Sequence, residues 1–317
     1  MKKIISTCER TKSNKDAFKS IAEKFGFDYI ENFPADQGFR AEEMKEVIKD
    51  STICIVGDDS IDSEVINVAS KLKYIIKWGS GTDQIDLIAA KSKGIEVINT
   101  PNILGKYVAE FVIGLIINSL RKITFNNEKM KEKIWDKSLG TSLYKKVVGF
   151  YGYGDIAKSL TKLLEPFDCK IIYSDVKDFK LNNAKYRDLK TLISESEVLV
   201  LSAPLTEETR GIINADSLKE AGALDLLINI SRGELLIENE ILEMVENKKL
   251  NMLCLDVYEK EPPKFNDVIL NNERILFTSH NASNTIDAND EVNKVILKKL
   301  DNILESKWII YLEVHLE

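Results

Sequence analysis

Histidine is nearly missing from this chain: among 317 residues only His280 and His315 carry an imidazole. The search for a side chain that exchanges protons near neutral pH is therefore short. Cysteine is sparse as well. Cys8, Cys54, Cys169 and Cys254 lie far apart, with no CxxC pair and no metal-ligand spacing. This pattern excludes a zinc module, gives no reason to expect a metal, and suits buried thiols in a reducing cytosol. Long apolar runs are absent too. The longest, Phe111 to Leu120, is broken by Gly114 and Asn118 and falls well short of the roughly 20 residues a membrane helix needs. It reads as a buried helix. Lys2-Lys3-Ile4-Ile5-Ser6-Thr7-Cys8 has only two apolar residues where a signal core takes about 7–15. A cytoplasmic protein with no membrane partner is the expectation. Internal repeats, low-complexity tracts and a flexible linker are all lacking.

What is present is ordinary globular material: 44% apolar and 30% charged residues in 35.9 kDa, enough for two domains with proper cores. A net charge of −7 and a pI near 5.3 argue against nucleic acid as a partner. Lys145-Lys146 and Lys248-Lys249 read as solvated faces.

Up to Thr100 the chain alternates short apolar strands (3–6, 27–30, 53–56, 74–76 and 96–98) with polar periodic helices. Such spacing signals a parallel sheet. A long helix from about Gly105 to Arg121 leads to a second series, with strands near 147–151, 170–173, 198–201, 226–230, 252–255 and 275–277. The final helix, about Asp287 to Glu305, carries Val292, Val295, Ile296, Ile303 and Leu304 on one face, which would let it pack back on the first domain. The expected fold class is α/β with two doubly wound parallel-sheet domains: a flavodoxin-like one from 1–100 plus 284–317, and a Rossmann one from 101–283. Two ordered crossings predict a hinged cleft with the site between the domains.

The second series opens on Val148-Gly149-Phe150-Tyr151-Gly152-Tyr153-Gly154-Asp155-Ile156-Ala157, where Gly152, Gly154 and Ala157 fill G-x-G-x-x-[G/A]. The first glycine makes the turn, the second lets backbone approach a pyrophosphate, and the small third residue lets helix pack on strand. The helix that follows aims its amides at the phosphate. About 20 residues on, the strand Lys170-Ile171-Ile172-Tyr173-Ser174 ends in Asp175. A carboxylate there accepts the ribose hydroxyls of NAD and repels the 2′-phosphate of NADP.

His280 lies at the end of one strand, Arg232 follows Leu226–Ser231, and Glu261 follows the strand ending near Leu255. In a parallel sheet such ends face the ligand. Alone, each has a plainer reading, His280 as a hydrogen-bonded loop histidine and the other two as surface salt-bridge residues. An arginine, an acid and a histidine at successive strand ends form a set.

The ordered motifs Gly79-Ser80-Gly81-Thr82-Asp83, Asn99-Thr100-Pro101, Ala203-Pro204-Leu205-Thr206, Asn229-Ile230-Ser231-Arg232-Gly233, Asp256-Val257-Tyr258-Glu259-Lys260-Glu261-Pro262 and His280-Asn281-Ala282-Ser283 span nearly the whole chain. With the glycine fingerprint they make it resemble the D-isomer-specific 2-hydroxyacid dehydrogenases, in a short form without a regulatory domain. The resemblance implies hydride transfer between NAD and C2 of a small D-2-hydroxy acid or 2-oxo acid. It also implies a catalytic trio of Arg232, Glu261 and His280. Reduction of a 2-oxo acid leaves negative charge on the oxygen; His280 would donate the proton, Glu261 would orient the ring and favour its imidazolium, and Arg232 would hold the substrate carboxylate. Backbone amides at Gly79, Ser80 and Gly81 would complete carboxylate binding, with Lys77 as a further anion contact or simply a solvated lysine. Gly152, Gly154, Asp155, Ile156, Asp175, Ala203, Pro204, Thr209, Ile230, Ser231 and Asp256 would line the cofactor. A homodimer is implied by the family alone.

Departures from the family pattern are few. Asp155 stands where the family often has arginine, so its side chain is expected to turn away from phosphate. Trp78 adds bulk beside the carboxylate loop. Ser279 and Asn281 flank His280 where apolar residues or proline are common, which predicts different local hydrogen bonding. The segment Trp308-Ile309-Ile310-Tyr311-Leu312 is apolar and expected to pack as an added strand or a contact surface. The alternative reading is an NAD(H)-sensing protein without turnover. A Rossmann methyltransferase would not need the trio or the preceding α/β half. L-lactate and L-malate dehydrogenases begin with their nucleotide fingerprint.

Overall fold

Strands such as Ile53-Cys54-Ile55-Val56 and Val198-Leu199-Val200-Leu201 are buried at every position, as strands covered by helices on both faces must be. The computed structural model describes residues 2–35, 37–219 and 221–315, with side chains through residue 306. In chain order the first elements are β1 (Lys2–Ser6), α1 (Lys15–Lys24), β2 (Phe27–Glu31), α2 (Ala41–Ile48), β3 (Ile53–Val56), α3 (Ser63–Val68), β4 (Tyr74–Lys77), α4 (Leu87–Ser92) and β5 (Glu96–Ile98). Then come α5 (Gly105–Arg121), α6 (Ile123–Lys131), β6 (Val147–Tyr151), α7 (Asp155–Leu164), β7 (Lys170–Ser174), β8 (Lys185–Tyr186), α8 (Leu189–Glu195) and β9 (Val198–Leu201). The last are β10 (Leu226–Asn229), α9 (Glu238–Glu246), β11 (Met252–Leu255), α10 (Asp267–Leu270), β12 (Ile275–Phe277) and α11 (Ile286–His315).

Contacts divide the chain into two compact units, residues 1–104 with 284–317, and residues 105–283. The first holds a five-stranded parallel sheet in the order β2-β1-β3-β4-β5. On one side of it Val292, Ile296, Leu300 and Leu304 of α11 pack with Ile4, Phe18, Ile55, Ile76 and Trp78. On the other, Met44, Ile48, Val65 and Ile66 cover Cys54, Val56 and Ile75. Aspartates start two of the short helices: Asp62 accepts the amides of Glu64 and Val65, and Asp86 that of Ala89.

The second unit carries a seven-stranded parallel sheet, β12-β11-β10-β9-β6-β7-β8, around a core that includes Leu199, Leu201, Leu227, Leu235, Ile241, Val245 and Leu253. Sequence periodicity gives six strands here. The seventh, β8, is two exposed residues at the sheet edge, too short to show alternation. The tail follows a helix, not a strand: α11 runs on to His315, while the side chains of Trp308–Leu312 and His315 lie outside the described ones. Among the described residues no helix is long and apolar enough to cross a membrane, and no cluster of His, Cys, Asp and Glu could hold a metal ion. Cys8, Cys54 and Cys254 are buried and Cys169 is half-buried, all with free thiols. Burial pushes the Cys8 thiol up to about 11 and that of Cys254 up to about 12.

Candidate active site

The carboxyl ends of β12, β11, β10, β9, β6 and β7 are neighbours along one edge of the second sheet, so the turns following them gather side chains far apart in sequence. The turn after β6 needs its first glycine twice over. Gly152 has φ +89°, and a Cβ there would lie 2.5 Å from the backbone of Ala203, which no L-residue tolerates. Gly154 differs: a Cβ would meet nothing within 4 Å, so this position opens on space at the start of α7. Tyr153, between them, is buried, meets Phe150 edge-on and Tyr173 at a tilt, and shares a 2.9 Å hydroxyl contact with Thr161.

Asp175 stands just past β7. Its Oδ2 accepts the Tyr153 amide at 2.7 Å and its Oδ1 the Val176 amide at 2.7 Å, which fixes the carboxylate beside the glycine turn. Asp155 does turn aside: its Oδ2 accepts the amide of Gly105, the first residue of α5, at 3.0 Å. A dinucleotide therefore has what it requires here: helix amides, an open glycine face and a positioned acid. Among the other expected cofactor residues, Ala203 and Ile230 are buried after β9 and β10. Ser231 Oγ donates to the Ala203 carbonyl, and Thr209 Oγ1 donates to the Pro204 carbonyl at 2.8 Å. Ile156 is the second residue of α7.

Arg232 lies three residues past β10. Asn229, fully buried, donates Nδ2 to the Arg232 carbonyl at 2.8 Å and accepts the Ser231 amide at 3.2 Å, closing the turn. Arg232 Nη1 donates to the Ser231 carbonyl at 2.8 Å. The next residue, Gly233, has no room for a side chain: a Cβ would lie 1.9 Å from the Tyr258 carbonyl carbon and 2.2 Å from the Glu259 nitrogen. This close approach pins the turn after β10 to the turn after β11.

In that second turn Glu261 uses both oxygens. Oε1 accepts the Tyr258 amide at 3.1 Å, and Oε2 lies 2.7 Å from His280 Nδ1. The short contact fits an Nδ1–H donor, a tautomer that assigns proton exchange to Nε2. His280 has φ +48°, strained for a residue with a Cβ. Asp256 holds it there. The Asp256 carbonyl accepts the His280 amide at 2.7 Å. Its carboxylate accepts Thr278 Oγ1 at 2.6 Å, the Asn281 amide at 2.8 Å and the Ala282 amide at 3.0 Å. Tyr258 Oη adds a bond to the Thr278 carbonyl at 2.6 Å, and burial raises its phenol pKa. Sequence reasoning missed this bracketing by Asp256, and that by Asn229, because a motif lists a residue without saying which groups it satisfies.

In the first unit, Lys77 ends β4 but is not solvated. It is 4% exposed, with Nζ 3.1 Å from Asp58 Oδ1 and donating to the Trp78 carbonyl at 3.1 Å. The Gly79 amide donates to Thr100 Oγ1 at 2.8 Å, which narrows the expected carboxylate donors to Ser80 and Gly81. Trp78 is 1% exposed and donates its indole N–H to Asn293 at 3.0 Å. It is an anchor more than added bulk.

Residues 113–282 match the family model of the D-isomer specific 2-hydroxyacid dehydrogenase NAD binding domain. The chain belongs to that family. It is 31% identical to a glyoxylate reductase of Thermofilum pendens, over 82% of this chain and 79% of that protein. It is 32% identical to a hydroxypyruvate reductase of Thermotoga maritima, over 82% and 87%. The crystal structure of an NAD+-bound 3-phosphoglycerate dehydrogenase of Entamoeba histolytica superposes with a TM-score of 0.79 at 25% identity, covering 96% of this chain and 95% of that one. This member of the D-2-hydroxyacid dehydrogenases is thus an NAD-dependent oxidoreductase.

Proposed function

We propose that the chain reduces a short 2-oxo acid at C2, and in reverse oxidises the D-2-hydroxy acid, with His280 as the proton-transferring residue. The 2.7 Å contact of His280 Nδ1 with Glu261 Oε2, on a sheet edge that also presents Arg232, carries this reading. The relatives' names support the substrate class, since glyoxylate and hydroxypyruvate are both short 2-oxo acids. NAD, when bound, supplies the hydride or accepts it. We assign it to the turn at Gly152 and Gly154, the amides of Asp155 and Ile156, the Asp175 carboxylate, and the turns at Ala203, Pro204, Thr209, Ile230, Ser231 and Asp256.

In reduction, His280 Nε2 passes its proton to the carbonyl oxygen as charge collects there; in oxidation it removes the hydroxyl proton. Glu261 keeps the ring in the required tautomer and stabilises the imidazolium. Arg232 offers a planar fork to the substrate carboxylate and a positive field for the oxyanion. Residues 1–104 with 284–317 then form the substrate domain, and 105–283 the NAD domain. The intact trio weighs against a sensor without turnover. Reduced, buried thiols fit a cytoplasmic setting. A homodimer is the assembly we infer, supported by exposed apolar side chains at Ile123, Met130, Trp135 and Leu139.

The test is NADH oxidation over a panel of 2-oxo acids. The His280→Ala variant is expected to lose about 10²–10⁴-fold in kcat while NADH fluorescence titration gives an unchanged Kd. Full turnover by that variant would refute the role of His280; NADH binding with no turnover by the wild type would favour the sensor.

A further inference from the structure

Helices α5 and α7 pack against each other within the second unit, and the first residue of one meets the first residue of the other. Their amino-terminal ends differ in what occupies them. No side chain caps α7 at Gly154, and a Cβ there would meet nothing within 4 Å. The opening amides of α7 are left to a ligand. α5, 17 residues long, has no acid in its own first turn. Asp155, the first residue of α7, supplies one from outside: its Oδ2 accepts the Gly105 amide at 3.0 Å.

The fit around that carboxylate is close. Gly105 is buried, and a Cβ on it would lie 2.1 Å from Asp155 Oδ2 and 2.9 Å from the Asp155 carbonyl carbon. Only bare backbone at the start of α5 lets the oxygen reach the amide. The anion then sits at the positive ends of two helix dipoles. No cation adds to that: Asp155 has no ion-pair partner among the described residues, and Lys158, one turn along α7, places its ammonium 5.6 Å from the centroid of the Phe179 ring.

One residue therefore faces two ways. The Asp155 amide belongs to the set that receives the pyrophosphate. Its carboxylate is tied a few ångströms away by covalent geometry, well inside the Debye length of about 8–10 Å. Like charges at that range repel.

We infer that Asp155 sets the affinity of the nucleotide site. Its carboxylate caps α5 and opposes the dinucleotide's phosphates, so the protein holds NAD(H) more loosely than the glycine turn alone would allow. The inference rests on the assignment of NAD to that turn.

Calorimetric titration with NADH, ADP-ribose and adenosine tests it, in the wild type and in Asp155→Asn, Asp155→Ser and Asp155→Glu. Asparagine keeps an oxygen for the Gly105 amide and removes the charge. It should tighten NADH and ADP-ribose about 3- to 30-fold, while adenosine, which offers a ribose to Asp175 but no phosphate, changes by less than about 2-fold. The gain should shrink in about 1 M KCl. Asp155→Ser, neutral but too short to reach the Gly105 amide, should tighten the same two ligands and melt at a lower temperature, which separates the charge from the cap. Asp155→Glu retains the charge and should give no tightening. NADH affinity unchanged or weakened in both neutral variants, or adenosine tightened as much as NADH, overturns the inference. Failure of the wild type and both neutral variants to bind any of the three ligands would instead remove the nucleotide site itself, and the inference with it.

Discussion

A carboxylate that is 1% exposed is costly unless donors surround it, and Asp256 meets that condition with Thr278 Oγ1, the Asn281 amide and the Ala282 amide. Those groups belong to the loop that holds His280 at φ +48°, so the acid acts on the histidine through backbone. Asp256→Ala would strand three donors, and a loss of about 2–4 kcal/mol is expected. Thermal melts should show it as a drop of several degrees, with Asp256→Asn intermediate; an unchanged melt would mean that solvent satisfies the loop equally well. Residue identity was legible here, but residue duty was not. Arg232, Glu261 and His280 stand out because charged side chains at strand ends are unusual in kind and position. Lys77 reads equally well as a surface lysine until Asp58, 19 residues earlier, is brought to 3.1 Å by the pairing of β3 with β4. No periodicity carries that information.

At the scale of elements, glycines separate structure from ligand contact. Gly233→Ala would drive a methyl into the Tyr258 and Glu259 backbone, splitting the turn of Arg232 from that of Glu261. Gly154→Ala has open space. The former is expected to accumulate as insoluble protein or to melt at least 5 °C lower. The latter should melt normally yet bind NADH about 10-fold more weakly in a fluorescence titration. Equal behaviour of the two in both assays would contradict this division. The strands themselves were readable because buried parallel strands are continuous apolar runs, and eleven of the twelve among the described residues follow from composition within a residue or so. The helix α6 escaped that reading because none of its residues is buried, and an apolar stripe is what periodicity detects.

At the scale of the molecule, the exposed apolar side chains of α6 and the segment after it stand out: Trp135 is 76% and Leu139 90% exposed. Beside them lies a cavity of about 670 Å³ at the amino-terminal edge of β11 and β12, lined by Phe125, Leu139, Leu270 and Met252 among others. It is on the opposite edge of the sheet from the glycine turn and the trio. The self-contact proposed above would cover these side chains without touching the chemistry. Sedimentation should give twice the monomer mass for the wild type and a concentration-dependent shift toward monomer for Trp135→Glu. A monomeric wild type would dispose of the dimer.

The return of α11 to the first unit has a consequence for how the chain is made. Val292, Ile296, Leu300 and Leu304 share a core with Ile4 and Phe18, so the first sheet to leave the ribosome is the last to be covered. While residues 105–283 emerge and close their own core, one face of β1, β3 and β4 waits with α1 but without α11 across it, and Trp78 lacks its Asn293 partner. Synthesis order and folding order are therefore reversed. A chain whose residues 1–283 have left the ribosome while α11 is still inside it would display a finished nucleotide unit tethered behind a sticky half-sandwich, a natural client for a holding chaperone.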